Sequence, residues 1–101
     1  MKVLPTLNIQ NGHVVPALEN GPSTGRKPVE VIEDLLKEGC CRFALVDVDA
    51  ARGSGSNREL IGGLMRRIHQ SAAKACIQVG GGICSSDHAQ YYLNQGATWL
   101  L

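Results

Sequence analysis

The sequence predicts an α/β fold in which the strands of a parallel sheet alternate with helices in the order (βα)₃β. Three observations carry this. Short apolar runs bounded by turn residues alternate with segments whose apolar residues repeat at helical spacing. Successive strands lie about 30–40 residues apart, the length of a strand–helix–strand unit. The run Phe43-Ala44-Leu45-Val46-Asp47-Val48-Asp49 is apolar on both faces until its end, the pattern of a buried parallel strand whose carboxyl end carries acids.

The first strand covers Val3–Ile9, interrupted by Thr6 and Asn8. It stops at Asn11-Gly12, a dipeptide suited to a tight hairpin because both central positions need positive φ, and His13-Val14-Val15 reads as a short return strand. Residues 17–27 collect Asn20, Gly21, Pro22, Ser23, Thr24 and Gly25 and read as a loop. Pro28 then suits the first position of a helix with the apolar stripe Val29, Ile32, Leu35 and Leu36, and Gly39 stands where a left-handed cap is expected. After the central strand, Gly53 to Ser56 form a loop, and Ser56 with Glu59 has the spacing of a capping box. The helix that follows carries Leu60, Ile61, Leu64, Met65 and Ile68 on one stripe, weakened by Gly62 and Gly63. A third strand, Ala75–Val79, runs into Gly80-Gly81-Gly82. A third helix begins near Ser85 or Ser86, uses Ala89, Tyr92 and Leu93 as its apolar stripe, and stops at Gly96. Trp99-Leu100-Leu101 begins a fourth strand, with Trp99 expected under the third helix or at a dimer seam. The strands at 43–48 and 75–79 read as apolar on both faces, so an uncovered apolar inner face is expected as well.

Composition narrows the function classes. The 101 residues suffice for one modest core, and 44% apolar with 19% charged residues is ordinary for a globular chain. A net charge of +1 gives no electrostatic reason to expect nucleic acid. No run is long enough for a membrane span, and Met1-Lys2-Val3-Leu4-Pro5 lacks the apolar stretch of a signal peptide, so a cytoplasmic protein is expected. Cys40 and Cys41 are adjacent, Cys76 and Cys84 lie eight apart, and no Cys-x-x-Cys occurs, which reads as four reduced thiols. His13, His69 and His88 have no zinc-ligand spacing, so neither a metal nor a cofactor is expected. His13 beside the turn and the pair Arg66-Arg67 read as solvated residues.

Five strings in order are more specific: Val3-Leu4-Pro5-x-Leu7, Asn11-Gly12-x-Val14-Val15, Pro28-Val29-Glu30, Leu45-Val46-Asp47-Val48-Asp49 and Gln78-Val79-Gly80-Gly81-Gly82-Ile83. Together they resemble the histidine-biosynthesis barrels, the phosphoribosylformimino-aminoimidazole carboxamide ribotide isomerase and the cyclase subunit of imidazole glycerol phosphate synthase, and the Val-Asp-Val-Asp string leans toward the isomerase. The resemblance implies a (βα)₈ barrel of two similar halves, which takes about 250 residues. This chain matches the amino-terminal half: residues 1–101 as a single module, a parallel (βα)₃β half of a TIM-type barrel that ends inside the fourth strand.

The resemblance also implies chemistry. The isomerase opens a ribose-derived ring by an Amadori rearrangement, with one carboxylate at the end of the first strand and a second from the other half. The matching first-strand position here is Asn8, and an amide hydrogen bonds but does not exchange a proton near neutral pH. It stands either as a ligand-orienting group or as a polar residue closing a strand. Relatives tend to carry Arg or Lys where this chain has Pro16, and Arg where it has Cys84, so two anion-binding cations are replaced. Gly81 and Gly82 lie between a strand and a helix, where amides cradle phosphate, or where a tight turn simply needs glycine. Asp47 and Asp49 stand at a strand end, as site residues or as loop caps, with Arg52 as a further partner for Asp47. Cys84 at a loop start has the position of a reactive thiol or of a plain surface residue.

The expected function is therefore a catalytically impaired, isomerase-like half-barrel that keeps weak affinity for a phosphorylated sugar or ribotide. The alternatives are an active isomerase whose barrel is completed by a second chain, and a truncated product without function. Expected partners are a second copy or a complementary half-barrel, with no nucleic acid and no membrane.

Overall fold

Leu7 and Ile9 alternate with Thr6, Asn8 and Gln10, so the first strand has one apolar and one polar face. In the computed structural model, which describes residues 5–15 and 26–100, this strand is β1, Thr6–Gln10. The expected strand start at Val3, the replaced cation at Pro16, most of the expected loop and Leu101 lie outside the described residues. Asn11 and Gly12 take φ of 51° and 76°, both positive as the hairpin turn requires, and β2, His13–Val15, returns antiparallel with Gln10 opposite His13. Helix α1, Pro28–Lys37, opens on its proline and is followed by Gly39 at φ 83°.

The next strand, β3, is Arg42–Asp47, two residues shorter at its carboxyl end than the apolar run suggests. Asp47 leaves the sheet as the cap of a short helix, α2, Val48–Arg52, where its carboxylate accepts the Ala50 N–H at 3.0 Å. The signal was in the chain: an acid, a second acid in the first turn, Ala50-Ala51, and Gly53 as a left-handed end. Helix α3 is Arg58–Ser71, β4 is Cys76–Gly80, α4 is Ser86–Asn94 and β5 is Trp99–Leu100. The strand order is β2-β1-β3-β4-β5, parallel throughout except for the β2 hairpin. This is the expected α/β parallel half-barrel, with the expected return strand of the hairpin at its edge and one short helix, α2, added.

One face of the sheet is covered. Leu7, Ile9, Phe43, Leu45, Ile77 and Val79 project from it into a core completed by Ile32 of α1, Ile61, Leu64, Met65 and Ile68 of α3, and Tyr92 of α4. Arg67 of α3 was expected to be solvated like Arg66, but it is half-buried in an ion pair with Glu33 that ties α1 to α3. Leu93, expected in the apolar stripe of α4, is 46% exposed, because the buried line of that helix runs through Tyr92, one residue and about 100° away.

The other face is open and less apolar than the sequence suggests. The residues facing it include Thr6 beside Ala44, Gln78 and Trp99 in one row, Val15, Asn8, Val46 and Gly80 in the next, and His13 beside Gln10 beyond it. Trp99 does not pack under the helix; its register with Gln78 puts it on the uncovered side, where it is 53% exposed. Amides alternate with small and branched apolar groups there, so the face is mixed rather than apolar.

The two glycines inside α3 differ in their surroundings. A Cβ on Gly63 meets only the far end of Arg66 at 3.8 Å, while one on Gly62 comes within 2.6 Å of the Tyr91 hydroxyl. Gly63→Ala is expected to raise stability by about 1 kcal/mol through helix propensity. Gly62→Ala gains less because Tyr91 must move, and urea unfolding of the two variants side by side measures the difference.

Candidate functional site

The carboxyl ends of β1, β3 and β4 lie together at one end of the sheet, where parallel α/β folds place their sites. Asn8 and Asp47, both expected at this end, are on opposite faces. Asn8 aligns with Val46 on the open side, whereas Asp47 aligns with Ile9, whose side chain enters the covered core. Among the described residues, the open face toward its carboxyl end holds Asn8, Gln10, Val46, Gln78 and Gly80, with Val15 and His13 of β2 opposite Asn8 and Gln10, so it carries no carboxylate and its ionisable side chain there is His13. Arg42 and Cys76, also on this face, sit at the far end of their strands.

The two acids belong to a buried polar cluster centred on Asn57, a residue the sequence reading passed over. Asp47, Asp49 and Asn57 are 0%, 7% and 8% exposed. The Asn57 side-chain amide donates to Asp47 Oδ1 at 2.8 Å and Asp49 Oδ2 at 2.9 Å, and its backbone N–H donates to Asp47 Oδ2 at 2.7 Å. Its side-chain oxygen accepts the Gly12 N–H at 3.1 Å, and Asp49 Oδ2 also accepts the Asn11 N–H at 2.6 Å. The expected capping box therefore does not form. Asn57 occupies the cap position of α3 with its side chain turned to the acids, and Ser56 Oγ accepts only the Arg58 N–H at 3.1 Å. A sequence signal existed: an asparagine directly before a helical stripe is a cap candidate in its own right.

No ion pair joins Asp47 to Arg52 among the described residues. The Arg52 charge acts instead on Asp49, whose carboxyl is held below its ordinary 3.8, chiefly by the Asn11 N–H, then by Asn57, with Ser54 and Arg52 adding to it against burial. Tyr92, whose buried hydroxyl has no hydrogen-bond partner among the described residues, is pushed up to about 12, first by burial and then by the Asp47 charge.

The glycine turn after β4 is fixed by sterics. Gly81 and Gly82 have φ of 102° and 68°, and a Cβ on Gly81 would strike the Asp47 backbone carbonyl while one on Gly82 would lie 2.5 Å from that of Ala50. The turn thus rests directly on α2. No described residue accepts a hydrogen bond from the amides of Gly81, Gly82, Ile83 or Cys84. Cys84 is exposed just before Ser85, whose hydroxyl caps α4 by accepting the His88 N–H at 3.1 Å. All four cysteines are unbridged, and His13 is exposed with Nδ1 2.9 Å from the Asn11 carbonyl. Among the described residues no group of three or more His, Cys, Asp or Glu could hold a metal, and no helix is long and apolar enough to cross a membrane.

The cluster sets a pH dependence with a definite sign. A carboxyl lowered in the folded state stabilises above its ordinary range, and that contribution disappears as pH falls through the lowered value. Asp49→Asn is expected to be less stable than the parent at neutral pH, with the gap closing below 3.8. Asn57→Ala, which strips donors from two buried carboxylates, is expected to cost about 2–3 kcal/mol at neutral pH. Urea unfolding from neutral to acid pH reads both.

The family model described as Histidine biosynthesis protein matches residues 2–101 of this chain. Curated relatives named as phosphoribosyl imidazole-4-carboxamide isomerases align along nearly its whole length. The Methanosphaera stadtmanae protein is 30% identical, over 100% of this chain and 42% of its own length. Those of Methanopyrus kandleri and Thermus thermophilus are each 33% identical, over 98% and 97% of this chain and 40% and 41% of their own lengths. The chain thus spans about two fifths of the curated relatives it matches. A match along essentially the whole sequence, on a parallel sheet built as that family's strings imply, places the chain in the histidine-biosynthesis protein family.

Proposed function

We propose that this chain is an isomerase-type half-barrel that binds a phosphorylated sugar or ribotide without rearranging it, because its acid–base group is missing. The observation that carries this is the open face at the carboxyl end of the sheet, where Asn8 stands in place of an acid and no described residue is a carboxylate, the ionisable His13 lying across from Gln10 on the exposed return strand. Asp47 and Asp49 do not substitute for it, since their oxygens are engaged inside the fold by Asn57 and by backbone amides. The relatives' printed activity on phosphoribosyl compounds supports the ligand class. The unengaged amides from Gly81 to Cys84 support phosphate as its anchor. The half-covered sheet and the exposed Trp99 support assembly with a second copy or a complementary half-barrel, which would supply the rest of the site.

The activity test mixes the chain with the carboxyl-terminal half of a curated relative and follows isomerisation of the ribotide. Turnover is expected to be absent with the parent chain and to appear with Asn8→Asp, at least 100-fold above it, the scale of a single acid–base group. Equal turnover in parent and variant defeats the impaired reading and favours the active, two-chain enzyme.

Phosphate anchoring is tested separately by titrating inorganic phosphate while following backbone amide signals. Those of residues 80–86 are expected to move first, and Cys84→Arg, which adds a planar cation beside the turn, is expected to tighten the response about tenfold. A spectrum unchanged in both proteins leaves the glycines with their steric role only.

A further inference from the structure

The geometry points to the turn and return strand of the hairpin, residues 11–15, as a strap, latched by Asn57 and Asp49, that opens as a unit and uncovers the outer edge of β1. This does not depend on what the open face binds.

The strap touches the core through Val14 alone among its described residues and is otherwise held by polar contacts. None of His13, Val14 and Val15 is buried, whereas β1 contributes Leu7 and Ile9 to the core. A two-residue turn and a three-residue strand have little stability of their own. What fixes the turn is a pair of long-range bonds, Asn11 N–H to Asp49 Oδ2 at 2.6 Å and Gly12 N–H to Asn57 Oδ1 at 3.1 Å. Both acceptors are buried side chains that are themselves tied to Asp47 by the Asn57 amide. Farther along, the Val14 N–H donates to the Arg26 carbonyl at 3.1 Å.

The latch has a structural consequence. While closed, β2 occupies the outer edge of β1 from Asn8 to Gln10, so that edge cannot receive another strand. Gly12 also forms one wall of a cleft of about 460 Å³ bounded by Ser56, Arg58 and Tyr91. Opening therefore exposes the edge beside Asn8 and removes one wall of the cleft. The two ends of the sheet are inequivalent: β5 presents an outer edge that no described strand pairs, whereas β1 is strapped.

Native-state hydrogen exchange on the full chain tests this. The amides of Asn11, Gly12 and Val14 are expected to share one opening rate, with weak urea dependence, at least tenfold faster than those of Leu45 and Val79 in the central strands. Asn57→Ser is expected to speed the three strap amides tenfold or more beyond any change in the central pair. Strap amides that exchange with the core, or that differ from one another by more than tenfold, overturn the concerted strap. Equal acceleration of strap and core in the variant overturns Asn57 as its latch. If the variant does not fold, the pattern in the parent chain decides.

Discussion

One side-chain amide holds the working end of this molecule in register. Asn57 lies between two buried carboxylates, and its own oxygen reaches a turn 45 residues away in sequence. Two acids on one short segment, both removed from water, repel each other and lose hydration, so the arrangement stands only where donors converge on them. The Asn57 amide and backbone N–H, the Asn11 N–H and the Ala50 N–H are those donors. Each bond to a charged group contributes about 1.5–3 kcal/mol, and removing the shared donor leaves both acids short. The β1–β2 turn, the start of α2 and the start of α3 all take their positions from this cluster.

That constraint shapes what remains for chemistry. A carboxylate engaged by several internal donors is a poor proton shuttle, because the same bonds that steady it favour its charged form. With Asp49 held this way and the Asp47 oxygens engaged on the core side of the sheet, the strand-end position on the open face falls to Asn8, and an amide cannot carry proton transfer. The sheet thus separates two tasks by its pleat: odd positions of β1 build the core, while even positions face the uncovered side where a ligand or another chain would meet them. In a closed barrel those inward side chains interleave in layers. Here the layer holding Thr6, Ala44, Gln78 and Trp99 lacks opposing side chains among the described residues, which accounts for the exposure of Trp99.

The glycine turn shows how one residue type answers two demands. Positive φ and the carbonyls of Asp47 and Ala50 require glycine at 81 and 82 whether or not an anion ever arrives. The amides of Gly81 to Cys84 meet no acceptor among the described residues. Steric necessity and phosphate binding are therefore compatible readings of one string, and glycine at these positions does not by itself distinguish them.

Much of the architecture was legible in order and period alone. The parallel alternation, the Asn11-Gly12 hairpin, the proline-led α1 and the stripe of α3 depend on local dihedral preferences and on which residues seek a core, and these are written residue by residue. The identity of Asn8 already argued against proton transfer. Other features were decided by partners far away in the chain. Val48 and Asp49 read as strand until Asp47 captured the Ala50 N–H and turned the backbone into α2. Ser56 read as a cap until Asn57 was drawn to the acids, and Arg67 read as solvated until α1 brought Glu33 beside it. Leu93 and Trp99 are apolar, yet burial depends on whether an element covers that side of the helix or sheet, and none of the described elements does. Periodicity assigns a residue to a face; only the packed structure determines what, if anything, lies against it.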